Sequence, residues 1–531
     1  MSAAPADDSL LLGFVHFDRP NIASNQAEFL VVKDRIPSVR RNRWVLIKDN
    51  ELTFLARITE GPHFHPEEVG RDSAYSQTSI LLGEKFPGMP NYYASAMASL
   101  EGEVVGEEVM GADRRPQPKA RVELVPTKFL EKLIGVKGDM YIGTLDGYDD
   151  IKLYLDSKSK NALPRNLGIF GTVGSGKTNT AQVLIEEASR AGWAIIVLDV
   201  EGEYTELDRP TTILVELLEA HGFKPKGVKD FVAYHAAAAE SEREDAKPFT
   251  LLFHKLDPYI LAELIDATEA QERWLLPLLE EVKKMKKENA EAKKGTLKGV
   301  VGAGSGDAYT LWDVVNSVDT VIQRLGVAGP QKSSLYALKG KLARLGHTGA
   351  FDSKGVSELQ PEELAKAGRV SVIDVSYTSV RLKNIIIADV LRRLFDHKVE
   401  KTTAPPVMIV IEEAHTFVSK ENKDRMEATV DMLRDIARRG RKRWISLCFV
   451  SQQPSHLPQE IFELSNTHFI HTVKGGRNLD ALQTAAGDVE ESIWTSVPSM
   501  GVGRCFILSP QFKHIIPARI RPAATKRKFT D

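Results

Sequence analysis

The sequence predicts an α/β protein in which a doubly wound parallel sheet follows a β-rich N-terminal region, and three observations predict it. Short apolar runs recur between turn residues up to about residue 150, as in a small barrel or sandwich. From residue 167 onward, apolar runs alternate with segments of helical periodicity, which is typical of a sheet covered by helices on both faces. Between residues 213 and 365 helical segments predominate. We therefore expect a helical insertion within the α/β region.

The predicted domains follow from these changes of pattern. They are an N-terminal β-barrel (1–155), the first part of the α/β core (156–212), the helical insertion (213–365), the second part of the core (366–518) and a basic C-terminal tail (519–531). In the β-rich region the expected strands are the runs 11–17, 29–32, 44–47, 52–58, 79–82 and 122–125. In the core they are 167–170, 193–198, 370–375, 407–411, 444–450, 468–473 and 504–508.

Length and composition limit the classes of protein that fit. A chain of 531 residues is too long for one core, so two to four domains are expected. The 70 basic and 72 acidic residues give a net charge of −2. Any contact with nucleic acid must therefore come from a local patch or an assembled surface. The two cysteines, Cys448 and Cys505, lie in apolar runs, and such a pair provides neither a disulfide framework nor a zinc site.

No apolar run approaches the roughly 18 residues of a membrane span. The first ten residues, MSAAPADDSL, lack the basic start and apolar core of a signal peptide. These features predict a cytoplasmic protein without membrane contact.

Residues 171–178, GTVGSGKT, fill every fixed position of the phosphate-binding loop G-x-x-x-x-G-K-[ST]. They lie between an apolar strand and an amphipathic helix, where backbone N–H groups can turn toward one anion. We expect Lys177 to reach the β- and γ-phosphates of ATP and the Thr178 hydroxyl to hold Mg²⁺. The predicted nucleotide-binding residues are Gly171, Thr172, Val173, Gly174, Ser175, Gly176, Lys177, Thr178 and Asn179.

A second acidic motif follows the apolar run 407–411, where Glu412 and Glu413 stand side by side. A parallel strand would place both carboxylates at the carboxyl edge of the sheet, beside the phosphate-binding loop. We expect Glu412 to hold the Mg²⁺ shell through water and Glu413 to polarise the attacking water.

Two further segments end predicted strands and allow two interpretations each. Residues 199–204, DVEGEY, either tune the metal and nucleotide pocket or cap the segment that follows. Gln452 either senses the γ-phosphate or only satisfies backbone groups at its strand end.

Basic residues form a stripe on the predicted helix 426–443. Arg434, Arg438 and Arg441 have helical spacing and share one face. Such a stripe is either solvated or part of a subunit interface. In an interface, Arg438 or Arg441 would stabilise charge at the γ-phosphate of a neighbouring subunit. The basic tail 519–528 either engages DNA or a partner or is a disordered charged end.

Five motifs occur in the order seen in HerA ATPases of the HerA–FtsK group, which the chain therefore resembles. They are the phosphate-binding loop, DVEGEY at 199–204, IEEAH at 411–415, ARRGRK at 437–442 and SQQP at 451–454. The resemblance implies a RecA-like P-loop NTPase core with a HAS-barrel-like N-terminal β-barrel and a helical insertion. One departure is that many members have an arginine in the strand after SQxP. Here that stretch is HFIHTV (468–473), followed by Arg477. Either Arg477 has taken over a nucleotide-sensing role or that role is absent.

The resemblance also implies a homohexameric ring that hydrolyses ATP with Mg²⁺ at subunit interfaces and threads double-stranded DNA through its centre. It implies a partner, either a NurA-like nuclease in DNA end processing or a sirtuin-like or nuclease effector in anti-phage defence. The alternative function is a regulatory ATPase ring that assembles and activates such an effector, with little motor activity of its own. A kinase-like NTP-binding enzyme is a third class, and neither the arginine stripe nor the β-rich region supports it.

Overall fold

The computed structural model describes residues 8–19, 22–50, 52–82, 90–296, 308–417, 427–487 and 489–528. The chain divides into two compact units. The first comprises Met1–Lys137, Gly143–Tyr154 and Phe512–Arg519, and the second comprises Gly138–Ile142, Leu155–Gln511 and Ile520–Asp531. Among the described residues, none of the helices combines the length and the apolar character that a membrane span requires.

Antiparallel strands of the first unit close into a six-stranded barrel. Its elements are β1 (Leu11–Val15), β2 (Gln26–Val31), β3 (Trp44–Asp49), β4 (Leu52–Pro66), α1 (Ala74–Leu82), β5 (Tyr92–Val105), β6 (Glu108–Met110), β7 (Arg121–Leu124) and α2 (Thr127–Ile134). The order β2-β1-β7-β3-β4-β5 closes because β2 also pairs with β5, and β6 extends β5. Successive side chains point to opposite faces, so Phe29, Val45 and Phe54 fill the interior without any exposure. The predicted N-terminal barrel is confirmed.

The remaining strands of the chain belong mainly to a large parallel sheet. They are β8 (Met140–Leu145), β9 (Tyr148–Leu155), β10 (Leu167–Phe170), β11 (Ala194–Asp199), β12 (Asp230–Ala236), β13 (Lys247–Phe249), β14 (Arg369–Asp374), β15 (Val407–Ile411), β16 (Ile445–Ser451), β17 (Thr467–Ile470), β18 (Arg504–Leu508) and β19 (Ile516–Ile520). Within the second unit the order is β13-β12-β14-β11-β15-β16-β10-β17-β18. Strands from β13 to β17 are parallel, and β18 is antiparallel to β17. Every residue of β11, β15 and β16 is buried, as expected for a sheet covered on both faces.

Helices cover this sheet and form a separate cluster beyond it. They are α3 (Lys177–Arg190), α4 (Val215–Ala220), α5 (Pro258–Leu264), α6 (Glu269–Thr296), α7 (Leu311–Arg324), α8 (Pro330–Gly346), α9 (Pro361–Leu364), α10 (Val380–Glu400), α11 (Ala414–Phe417), α12 (Glu427–Arg443), α13 (Gln459–Leu464), α14 (Gly476–Ala486) and α15 (Glu491–Ser496). Helix α7 begins with a capping box, in which the side chains of Thr310 and Asp313 each accept the other's backbone N–H. Helices α6, α7 and α8 pack on one another through buried leucines and valines. The expected helical insertion is therefore present.

The structure corrects parts of the predicted division. Strands β12 and β13 fall inside the range 213–365 that was expected to be helical, and they belong to the parallel sheet. They lie at its edge and are only partly buried, so they lack the unbroken apolar run of a central strand. The apolar run 79–82 is the end of helix α1 and not a strand. A run of four apolar residues does not distinguish the two by periodicity.

The C-terminal tail is a second correction. It was expected either to engage a partner or to be disordered, but residues 520–525 are buried in the second unit. Arg521 is 1% exposed and Ala524 is completely buried. Packing of this kind requires neutralised charge and satisfied backbone groups, which hydrogen bonds to helix α3 provide.

Candidate functional site

The phosphate-binding loop connects β10 to α3 at the carboxyl edge of the parallel sheet. Gly174 has φ +73° and Gly176 has φ +108°, backbone conformations that favour glycine. A Cβ on Gly171 would lie 2.5 Å from Ser175 Oγ and 2.7 Å from His471 Cβ. The glycines of the motif are thus required by the turn and by the close approach of neighbouring chain segments.

Hydrogen bonds hold the loop from both sides. Thr172 N–H donates to the carbonyl of Thr472 (2.8 Å), and Ser175 Oγ donates to the carbonyl of Thr172 (2.7 Å). Gly503 N–H donates to the carbonyl of Ser175 (3.1 Å). The first bond occupies the Thr172 N–H, whereas the other two use carbonyl groups of the loop and leave the N–H groups at its tip, such as that of Gly174, available to an anion.

Lys177 is buried at the first position of α3, and its Nζ donates to the Thr172 carbonyl at 3.1 Å. Burial lowers the pKa of this ammonium, and the carboxylates of Glu413, Glu203 and Glu412 oppose that effect. A buried ammonium that is held by one carbonyl and faces several carboxylates is suited to bind the oxygens of a polyphosphate.

The other predicted nucleotide ligands differ in what they offer. Val173 is 71% exposed at the tip of the loop, so only its backbone is placed to contact a phosphate. Asn179 is engaged elsewhere, because its Nδ2 donates to the Arg521 carbonyl and its Oδ1 accepts from Ala523 N–H, both at 2.8 Å. The side-chain amide of Asn179 is therefore already bonded within the chain, and its role as a nucleotide ligand remains a prediction. Asn179 is two residues after Lys177 and lies within α3, where its side chain contacts a distant segment of the chain.

Two carboxyl groups share a buried position beside the loop. Asp199 accepts three backbone N–H bonds, from Gly202 (2.7 Å), Glu203 (3.1 Å) and Tyr204 (2.8 Å). These three donors favour its ionised form, but burial outweighs them and raises the pKa of Asp199 to about 6. Glu412 is hydrogen-bonded to it, and burial together with the Asp199 charge raises the pKa of Glu412 well above its usual value. Residues 199–204 thus both form a turn and contribute a carboxylate to the site, which combines the two interpretations given to them.

Glu413 lies at the end of β15 in a left-handed conformation, with φ +42°. Its Oε2 is 3.1 Å from His415 Nδ1 and accepts weakly from Gln452 N–H at 3.5 Å. A non-glycine residue in this conformation costs about 1–3 kcal/mol and is found mainly where side-chain orientation matters. Glu413 is 7% exposed, so its carboxylate is held in one direction at the edge of the site.

The oxygen atoms of this edge fit a small divalent cation. Glu412 Oε2 and Glu203 Oε2 are buried without a hydrogen-bond partner, and Glu203 is also hydrogen-bonded to the Thr178 hydroxyl. Hard cations such as Mg²⁺ prefer oxygen ligands and retain several waters. Among the described residues, no group of three or more His, Cys, Asp or Glu side chains could itself hold a metal ion. Thr178 and Glu412 could therefore hold Mg²⁺ only together with phosphate oxygens and water.

Gln452 follows β16, and its backbone N–H faces Glu413. Its side chain is half-buried, and its sensing role remains a prediction. His468 and His471 are buried on the neighbouring segment, and burial lowers the pKa of each imidazole to about 4. Both imidazoles are therefore neutral at neutral pH. Neither provides the positive charge of the arginine that many members of the family have in this strand. Arg477 is exposed in the first turn of α14.

The arginine stripe borders a cavity of about 310 Å³ at the opposite edge of the sheet. Its lining includes four arginines and two asparagines, namely Arg165, Arg434, Arg438, Arg441, Asn166 and Asn466. Asn161 accepts from both Arg165 and Arg441, each at 3.3 Å. Burial and the Arg441 charge lower the pKa of Arg165, as expected where like charges converge without an anion.

Arg165 was missed in the sequence because no motif marks the position before a strand. Its only signal is that it precedes β10, while Arg441 precedes β16, and these two strands are neighbours in the sheet.

The amino ends of parallel strands meet at one edge of the sheet, and the phosphate-binding loop lies at the other edge. Strand β16 has seven residues, so the two edges are roughly 20 Å apart at about 3.3 Å per residue. The cavity therefore does not serve the loop of the same subunit.

A parallel sheet with a phosphate-binding loop after one strand and paired acids after another defines a RecA-like P-loop ATPase. The solved structure of VirB4 from Thermoanaerobacter pseudethanolicus has this fold, with a TM-score of 0.52 and 16% identity. The match covers 73% of this chain and 98% of VirB4.

Residues 140–394, which carry the phosphate-binding loop, match the family model described as the central domain of helicase HerA. The DNA double-strand break repair helicase HerA of Sulfolobus acidocaldarius is 24% identical over 88% of this chain and 86% of its own length. Its namesake in Pyrococcus furiosus is 22% identical over 94% of this chain and 88% of its own length. A probable helicase of Methanocaldococcus jannaschii is 21% identical over 82% of this chain and 78% of its own length.

Proposed function

We propose that this chain is an ATP-hydrolysing, ring-forming motor that translocates on or unwinds double-stranded DNA. One observation carries the proposal. The phosphate-binding loop and Glu413 lie at one edge of the sheet, whereas the arginine cavity lies at the other edge. A complete site then requires two subunits that contact each other head to tail, an arrangement that closes into rings.

Within one subunit the loop provides phosphate binding. Lys177 would exchange the Thr172 carbonyl for phosphate oxygens, and loop N–H groups would contact the same anion. Thr178 and Glu412 would hold Mg²⁺, which neutralises charge on the phosphates when bound. Glu413 would accept a proton from the attacking water, oriented by His415 and by the backbone of Gln452.

The neighbouring subunit would complete the site with Arg438 or Arg441. Charge develops on the phosphoryl oxygens in the transition state, and an arginine supplied in trans stabilises it. The structure adds Arg165 to this group, since it lines the same cavity. The cavity contains no carboxylate among its lining residues, which favours an anionic occupant.

The DNA substrate and the partner are proposed from similarity. Two of the relatives are named as DNA double-strand break repair helicases, which supports action on duplex DNA ends. ATP, Mg²⁺ and a homohexameric assembly belong to the same proposal. A partner nuclease or other effector, NurA-like or sirtuin-like, belongs to the same proposal. Purification of the chain from its native host, followed by sizing and identification of bound proteins, tests it, and recovery of the chain alone contradicts it.

Glu413→Gln tests the hydrolytic role. Removal of a general base costs about 10²–10⁴-fold in turnover, whereas a neutral isostere preserves the pocket. We expect ATP hydrolysis to fall by this factor while equilibrium binding of ATP remains. Glu272→Gln, an exposed glutamate in α6, is the matched control and should retain full activity. Unchanged turnover in Glu413→Gln contradicts the assigned role.

Stimulation by DNA separates the motor from the regulatory ring. A motor is expected to hydrolyse ATP faster with duplex DNA and to move along it. A regulatory ring instead hydrolyses weakly until its effector is present. Steady-state ATPase measured with the chain alone, with duplex DNA and with a co-purified partner distinguishes them. Absence of stimulation by duplexes of any length or end structure in an intact ring contradicts the motor.

A further inference from the structure

Residues 521–528, named here the C-terminal strap, run along helix α3, the helix that starts with Lys177. Asn179 binds the backbone of the strap at Arg521 and Ala523. One turn further along α3, Gln182 Nε2 donates to the Thr525 carbonyl at 3.4 Å. The strap is therefore fixed to the polar face of the helix that carries the phosphate-binding lysine.

Glu186, also on α3, holds the strap more tightly. Its Oε1 accepts from Ala524 N–H at 2.7 Å and from Thr525 N–H and Oγ1, each at 2.8 Å. Hydrogen bonds to a charged acceptor are about twice as strong as neutral ones. Three of them on one buried oxygen define the path of the chain at this point.

Arg521 anchors the start of the strap. Its guanidinium donates to Glu186 at 2.8 Å and to Glu187 at 3.0 Å, and it lies 4.4 Å from the centre of the Phe223 ring. The side chain is 1% exposed. A buried ion pair of this kind fixes geometry, because either charge without its partner is costly to bury.

Beyond Thr525 the strap turns toward the nucleotide site. Lys526 N–H donates to the Arg209 carbonyl at 2.8 Å, and Lys528 N–H donates to the Glu203 carbonyl at 3.2 Å. Arg527 therefore lies between two anchored backbone positions and next to Glu203, whose carboxyl contacts Thr178.

The charge of Arg527 acts on the site itself. The Arg527 guanidinium is near enough to interact electrostatically with the Glu203 carboxyl and with the Lys177 ammonium. Within the described part of the chain, Arg527 forms no hydrogen bond or ion pair of its own. Two cations, Lys177 and Arg527, thus lie near the same part of the nucleotide site.

We propose that the C-terminal strap is part of the nucleotide site and that Arg527 binds phosphate oxygens of the nucleoside triphosphate held by Lys177. This proposal rests on the proposed function, because it assumes the same ligand. A polyphosphate supplies the anionic oxygens that two converging cations require, and Arg is suited to contact them in pairs. Binding of the nucleotide and docking of the strap then stabilise each other.

Equilibrium binding of a non-hydrolysable ATP analogue with Mg²⁺ tests the proposal. Arg527→Ala is expected to weaken binding by about 10- to 100-fold, since a charge-assisted hydrogen bond contributes about 1.5–3 kcal/mol. Arg527→Lys should lose less. Lys526→Ala is the matched control, because it removes the same charge from an adjacent residue that pairs with Glu206 (2.8 Å), and it should bind within about threefold of the parent.

A second variant separates contact with the phosphates from an effect through Glu203. In the Glu203→Gln background, Arg527→Ala should still weaken binding by a similar factor. If Arg527→Ala no longer weakens nucleotide binding in the Glu203→Gln background, the proposal is overturned. Equal affinity of Arg527→Ala and the parent also overturns it. A parent chain that binds no nucleotide overturns the proposed function and this inference together. Binding by the parent with no effect of Arg527→Ala overturns the inference alone.

Discussion

Backbone conformation at single residues determines the shape of the nucleotide site. Gly176 has φ +108°, and a Cβ placed on it would lie 3.2 Å from both the N and Cα atoms of Gly503. Glu413 is held with φ +42° at the opposite side of the site. Each of these residues joins a buried strand to the start of a helix, where a small rotation would redirect the groups that face the phosphates.

Gly176→Ala tests this dependence on backbone shape. The added Cβ meets Gly503, whose N–H donates to the Ser175 carbonyl, so that bond must lengthen and the loop must shift. We expect the affinity for ATP to fall by at least about tenfold, the equivalent of one misplaced hydrogen bond. Isothermal titration calorimetry of the purified variant with ATP measures this change in affinity.

Gly192→Ala provides the control for this substitution. Gly192 has φ +90° and no atom within 4 Å of its missing Cβ. The two variants carry similar backbone strain, of roughly 1 kcal/mol, but only one disturbs the loop. Equal loss of affinity in both variants would show that the effect is general destabilisation and not loop geometry.

At the scale of elements, the pairing of helix α3 with the C-terminal strap joins distant parts of the chain. Arg521→Met removes the cation and leaves the carboxylates of Glu186 and Glu187 buried and close together. Loss of one partner of a buried ion pair costs about 3–5 kcal/mol. We therefore expect a large decrease in the denaturation midpoint, measured by circular dichroism against urea concentration.

Arg519→Met makes the same substitution at an exposed position and is the matched control for Arg521→Met. Arg519 is 43% exposed and is 4.0 Å from Asp149, a geometry that contributes little to stability. Its midpoint should remain close to that of the parent. A midpoint for Arg521→Met that matches the control would contradict the buried ion pair.

Comparison with the sequence shows which elements a pattern can predict. Strands β10 and β15 match the runs 167–170 and 407–411 residue for residue, because central strands have unbroken apolar sequences. Strand β5 was not expected, and β12 and β13 were taken for part of a helical region. These elements are half-exposed or mixed in character, so tertiary contacts decide their structure.

The site follows the same rule. Lys177, Thr178, Glu412 and Glu413 stand in contiguous motifs, and the structure brings them to one edge. Arg165 and Arg527, which we propose as site residues, were not predicted, because the sheet and the strap bring them to their positions from outside the motifs. Asn179 follows the motif in sequence and its side chain binds the strap, so its role as a nucleotide ligand remains a prediction.

For the whole molecule, the separation of the loop from the arginine cavity predicts that two different inactive subunits complement each other. Lys177→Ala removes phosphate binding, and Arg438→Ala combined with Arg441→Ala removes the trans charge. In mixed rings, the loop of one variant meets the arginines of the other, and that interface is complete. Random mixing in equal amounts makes about a quarter of head-to-tail interfaces complete.

Co-expression of the two variants, followed by ATPase assay of the purified mixture, measures this recovery. Each variant alone should be inactive, and the mixture should recover activity in proportion to the complete interfaces. If the arginines acted on the loop of their own subunit, every site in the mixture would lack one component. Absence of recovery in rings that contain both variants therefore contradicts sharing of the site between subunits.

The hydrogen bond between Asn179 and Arg521 spans 342 residues of sequence, and this distance has a consequence during synthesis. At about 5–20 residues per second, a ribosome needs roughly 20–70 s to make the chain between them. Throughout that interval the polar face of helix α3 has no strap to bind. The nascent chain thus carries the residues of the phosphate-binding loop well before Thr472, Gly503 and the strap are made. With the strap in its proposed role, ATP is captured late, by molecules whose last strands are already in place.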